Sequence, residues 1–323
     1  MKTLHDIRQK IQPVLMQIEN SRLEKLKATS KAKRLYAIPL VLVLTAPLAG
    51  LKIYFPLLAL LPCLAFFIFM YIALAEVGPH KENYIRTFKE RVFTTFVRSL
   101  CSNVEYVPDK YISGEKFSES QLFRGHNSVS GSDYFEGKTE NGSAFKFSEL
   151  EAEKITSDSD GRTIRKTIFE GVFFELSVPN RVISRVQVLP DKAESSLGGL
   201  GRLMQKSLGA FSQKAKMVYM KEHPEFEKEF VVYSKDAEEA YRVLTPAMIE
   251  AIYDLRYKWN KKLRVSFIGD KTYIALCSEH DYFHPDIHKS VLDDDLLGKF
   301  YDELALCLSV VEDMSIEHEG ISP

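Results

Sequence analysis

LYAIPLVLVLTAPLAGL (Leu35 to Leu51) and IYFPLLALLPCLAFFIFMYIAL (Ile53 to Leu74) are separated by Lys52, the only charge between Leu35 and Leu74. Each run approaches the roughly 20 apolar residues needed to cross a hydrocarbon core about 30 Å thick. Together they are too long for one span and suit two, with Gly50, Leu51 and Lys52 at the turn. Backbone polar groups in hydrocarbon must bond within their own segment, so both spans are expected to be helices. Pro39, Pro47, Pro56 and Pro62 would kink or end a soluble helix, but membrane helices tolerate them better. A signal peptide begins near the terminus and has a shorter apolar region. Here a polar segment, residues 1–34, comes first.

Working outward, Lys25, Lys27, Lys31, Lys33 and Arg34 precede the first run, and Lys81, Arg86, Lys89 and Arg91 follow the second. Positive residues stay on the cytoplasmic side. Lys31, Lys33, Arg34, Lys81 and Arg86 are therefore the membrane-flanking basic set, and both termini are expected in the cytoplasm. The lipid bilayer is the first expected partner.

Residues 1–34 read as an amphipathic cytoplasmic helix, with Leu4, Ile7, Ile11, Val14, Leu15, Ile18 and Leu26 at helical spacing. Pro13 argues for a break or kink in it. Its apolar stripe has three possible uses: lying on the membrane, pairing with a second copy, or packing as core on the soluble domain. Residues 75–102 form a connecting helix with Tyr84, Phe88, Val92, Phe93, Phe96 and Leu100 on a wide apolar face.

From 103 to 315 the pattern becomes α+β, a mainly antiparallel sheet with flanking helices. Gly131 to Ile155 is a hairpin around Glu140-Asn141-Gly142. Thr163–Val178 and Arg181–Leu189 read as two strands, and Met217–Met220 and Phe230–Tyr233 as two more. Pro190 to Gln213 interrupts the sheet with SSLGGLG, which matches no phosphate-binding pattern. Ala237–Lys262 is a helix split at Pro246, its second half capped by Thr245. Leu263–Ile268 and Thr272–Cys277 form a tight hairpin across Gly269-Asp270. Asp293 or Asp294 caps a last amphipathic helix through Met314, and residues 316–323 are a loose polar tail.

The chain has 323 residues and a net charge of −1, so no global charge draws it to nucleic acid. Phe169, Phe173 and Phe174 read as sheet core and not as a base-stacking platform. Cys63 falls in the second run, while Cys101, Cys277 and Cys307 are far apart and form no CxxC pair. Reduced thiols fit a cytoplasmic domain. His280, His284 and His288 lie four apart and are the candidate metal ligands, but Pro285 disfavours the continuous helix that would align them. Two carboxylate clusters, His223/Glu225/Glu227 and Glu149/Glu151/Glu153, show no asymmetry that would split acid from base. No catalytic or cofactor-binding residue is assigned.

FSELEAEK (Phe147 to Lys154), IFEGVFFE (Ile168 to Glu175), HPEFEKEFVVYSKDAEEAYRVLTP (His223 to Pro246) and SFIGDKTYIAL (Ser266 to Leu276) resemble the bacterial domain-of-unknown-function family 3137. The resemblance implies an inner-membrane protein with a cytoplasmic α+β domain, and it brings no catalytic motif to carry over. Gly171 between aromatics suits a bulge or a close backbone approach. Phe226 and Phe230 suit a packed turn, and Tyr241 and Leu244 are expected to be buried on the helix that follows. The reading is a membrane-anchored scaffold or adaptor that binds a protein partner or itself. The alternative is a membrane-tethered ligand sensor or enzyme whose pocket lies under the 190–213 loop.

Overall fold

A computed structural model describes residues 4–45, 67, 82–191, 215–259, 262–278 and 282–315. It falls into two compact units, residues 1–100 with 284–299, and residues 101–283 with 300–323.

In the first unit, helix α1 (Leu4–Thr45) runs unbroken through Pro13 and past residue 34, where a separate span was expected to begin. Residues 35–45 thus continue the helix that begins at Leu4. Residues 46–51 of the first apolar run, and all of the second except the helical, exposed Phe67, lie outside the described residues. Among the described residues no helix is long and apolar enough to cross a membrane.

The stripe Ile7, Ile11, Leu15 and Ile18 is buried, as ordinary core would be. Helix α2 (residues 82–100) packs on α1 and buries Tyr84, Phe88, Val92, Phe93, Phe96 and Val97. Its middle turn, Lys89–Phe93, widens to a π-turn, and Thr94 Oγ1 donates to Lys89 O at 2.9 Å across the wide turn. A buried pair ties α1 to residues 284–293. Arg22 grips Glu19 with two bonds, at 2.6 and 2.9 Å, and donates a third to Ile287 O, while Val291 N donates to Glu19. Val291 is buried, so its N–H would otherwise be an orphan.

The second unit is built on one antiparallel sheet. Its strands are β1 (Val104–Val107), β2 (Ser128–Lys138), β3 (Ala144–Ser157), β4 (Thr163–Pro190), β5 (Lys216–Val218), β6 (Phe230–Ser234) and β7 (Leu263–Cys277). The order is β1-β2-β3-β4-β6-β5, with β7 paired to β4. Its helices are α3 (Gly114–Glu119), α4 (Pro224–Glu229), α5 (Ala237–Val243), α6 (Pro246–Trp259) and α7 (Asp294–Met314), the last of which begins in the first unit.

The 139–143 turn joins β2 to β3, and Gly142 takes φ +87°, which the expected Asn-Gly turn demands. The two strands expected from 163 to 189 are one strand of 28 residues, β4, which continues through Val178-Pro179-Asn180-Arg181. Its register against β7 slips between Ser177 and Val186, so the turn residues bend the strand instead of ending it. Fifteen extended residues would span about 50 Å, yet Cys277 N, at the end of β7, donates to Lys262 O, just before its start, at 3.0 Å. β7 therefore doubles back, at Gly269 with φ +61°, as the IGDK hairpin reading requires.

One face of the sheet carries Phe169 and Phe173, which cluster with Phe117 and Phe123 of the 108–127 segment. Strand alternation sends Phe135, Phe147 and Phe174 to the other face, with ring centroids 4.4 and 5.2 Å apart along the row. Both sets are buried, and Phe169, Phe173 and Phe174 are sheet core as expected. Asp236 caps α5 by accepting from Glu238 N, and Thr245 caps α6 by accepting from Met248 N. Tyr241 corrects the expectation of burial: it is 53 % exposed, and its hydroxyl donates to Tyr219 O.

Candidate functional site: a groove along the edge strand

Strand β5 stands at the end of the sheet order and pairs, among the described residues, with β6 alone (Lys216↔Ser234, Met217↔Tyr233, Val218↔Val232). Among the described residues its outer side therefore has unused ladder positions, the feature that edge strands present to other chains. Next to it, α4 begins with Pro224 at its first turn and ends where Phe230 N donates to Phe226 O. The Phe226 and Phe230 rings pack 5.0 Å apart. This turn lays α4 beside β6 and leaves a groove of about 210 Å³, lined by Met217, Met220, Phe226, Phe230, Val231 and Glu227 among others. Met217 is 45 % and Tyr219 58 % exposed, so two large side chains meet water at the sheet's edge.

The polar groups here are few. Asp191, where β4 gives way to the 192–214 stretch, lines the groove, and its backbone N–H donates to Glu229 O. Burial, and then the charge of Asp191, push the Tyr233 phenol up. The SSLGGLG stretch lies outside the described residues.

Other candidates do not assemble into a reaction centre. His280 lies outside the described residues, while His284 and His288 fall in an irregular loop and not on a helix. The described residues hold no group of three or more His, Cys, Asp or Glu placed to bind a metal. Of the flanking basic residues, Arg86 is exposed on α2, 3.9 Å from Glu90. Lys81 and the side chains of Lys31, Lys33 and Arg34 lie outside the description.

The thiols of Cys101, Cys277 and Cys307 are free, and burial pushes all three up, which keeps them protonated and poorly nucleophilic. The Glu149–Glu153 cluster serves structure: Glu149 accepts from Tyr282 N, and Glu153 pairs with Arg165 at 2.8 Å.

A polar row that sequence reading missed crosses the sheet at Glu136, Lys146, Glu175 and Tyr273. Glu175 is 4 % exposed, with Lys271 Nζ 3.6 Å from one oxygen and no hydrogen-bond partner on the other among the described residues. Burial raises the Tyr134 and Tyr273 phenols. Glu175 and Tyr273 are buried while Glu136 and Lys146 are half-buried, so the row is closed at one end only.

Residues 167–316 match the family described as "Protein of unknown function (DUF3137)". The match takes in the whole groove and three of the four quoted motifs, and leaves FSELEAEK outside. No curated protein matches. Among solved structures, the crystal structure of the mycobacterial trehalose monomycolate transport factor A, TtfA, is similar at 10 % identity over 63 % of this chain and 88 % of that one, with a TM-score of 0.30.

Proposed function

From residue 167 to residue 316 this chain belongs to the DUF3137 family, and on that premise we propose that it is a membrane-anchored adaptor which takes a segment of a protein partner onto β5. The single observation that carries the reading is the apolar groove beside an edge strand. An extended segment added to such an edge gains backbone hydrogen bonds, and its alternate side chains enter the groove. Anchoring at the cytoplasmic face of a bacterial inner membrane is supported by the apolar run Leu35 to Leu74 and its basic flanks.

A tethered ligand sensor or enzyme is the rival reading. The groove's size weighs against it: 210 Å³ falls below the roughly 300–1,000 Å³ of small-molecule sites. One or two side chains fit such a volume. Chemical cross-linking in native membranes, followed by mass spectrometry, tests the adaptor. A partner recovered in fixed ratio supports it, and self-cross-links alone overturn it. A C-terminal reporter active only outside the cytoplasm would overturn the topology.

A further inference from the structure

We infer that the segment received by the groove carries a lysine or arginine two residues from its apolar anchor. This rests on the docking reading above and adds the partner's chemistry. Helix α4 reads PEFEKE and holds three glutamates. Glu225 is neutralised by Lys228 at 2.7 Å, and Glu229 lies 3.6 Å from Arg256. Glu227, between them, lines the groove and has no ion pair among the described residues. Asp191 is the other charged residue in the lining, so both charges are acidic. The floor is apolar, supplied by Met217, Met220, Phe226 and Phe230.

An apolar floor with an acidic rim selects a segment of matching pattern. In a strand added to β5, side chains alternate faces, so the neighbour on the anchor's face is two residues away, about 6.6 Å along. A lysine or arginine there can lay its apolar stem along the groove wall and reach Glu227 with its charged end. An acidic residue at that position would face the like charge of Glu227. The pattern is thus apolar, any residue, basic.

The test selects displayed random short peptides on the immobilised, detergent-solubilised full chain, native and Glu227→Lys. The native chain should enrich lysine or arginine two positions from a large apolar residue on the order of threefold, the range an exposed ion pair supports. Glu227→Lys should reverse the preference to aspartate or glutamate, with an unchanged melting temperature showing that it folds. Enriched peptides without charge bias, or a bias that survives Glu227→Lys, overturn the inference and leave docking intact. No enrichment at all, or selected peptides that bind Met217→Arg as tightly as the native chain, overturns the docking reading itself.

Discussion

Gly171→Ala should markedly destabilise the sheet domain, whereas Gly142→Ala should cost it little. Gly171 sits inside β4, paired to Leu150 of β3 on one side and Cys277 of β7 on the other. Its φ is +144°, and an added Cβ would lie 2.1 Å from Leu276 O and 2.8 Å from Ser278 N, both backbone atoms. An L-residue held in that conformation costs about 1–3 kcal/mol. Relieving the clash means moving β7 away from β4, and each ladder hydrogen bond loosened costs about 1 kcal/mol. With two bonds lost the sum is about 3–5 kcal/mol, which for a domain of this size lowers the melting temperature by on the order of 10 °C. Gly142 also has positive φ, +87°, but nothing lies within 4 Å of its added Cβ, so only backbone strain of about 1 kcal/mol applies. Trp259, the only tryptophan, is buried on α6, so its fluorescence during heating reads this unit directly. Should Gly171→Ala melt within a degree or two of Gly142→Ala, the close β4–β7 packing described above is wrong.

Three further outcomes follow from single contacts. Glu239 accepts from Arg242 and from Ile183 N, and the Arg242 bond, against a smaller opposing effect of burial, holds its carboxyl below the usual value of 4.5. Its stabilisation is therefore complete above about pH 4.5 and is lost as pH falls through the lower, folded value. Glu239→Gln should cost about 2 kcal/mol at neutral pH and converge with the native chain in acid, as melts across a pH series would show. Glu19, held low by Arg22, should behave in the same way in the first unit. Asp236→Ala removes the cap of α5 and should cost about 1 kcal/mol in chemical denaturation. Met217→Arg, at an exposed edge, should leave stability within about 0.5 kcal/mol of native while abolishing partner capture.

Local chemistry was legible and long-range pairing was not. The Asn141-Gly142 turn, the Gly269-Asp270 turn and the Thr245 cap each follow from residues within four positions of one another, and each stands where the sequence puts it. Pro179-Asn180 carries an equally strong turn signal, yet β4 continues, because β7 supplies partners on both sides of the bend. Helix α3 has only six residues, and its one local sign, the Ser113 cap, is too common a feature to single out. The groove depends on β5 meeting β6 from across the 192–214 stretch, and no periodicity encodes that. Phe226 and Phe230 hinted at a packed turn, and the exposure of Tyr241 was hidden because a seven-residue helix has too few turns to show which side faces out. The three glutamates of α4 are visible as charges in the sequence, but which one has no ion pair among the described residues is a fact of folding.

The most direct test of the docking account is a photoreactive amino acid placed at Met217 in the full chain, activated in native membranes, beside the same group at Ile164. Both positions are about equally exposed, 45 % and 50 %, and only Met217 lines the groove. A discrete partner band at Met217 that is absent at Ile164 is the expected result. Equal labelling at both positions, or none at Met217, would contradict the claim that this edge receives another protein.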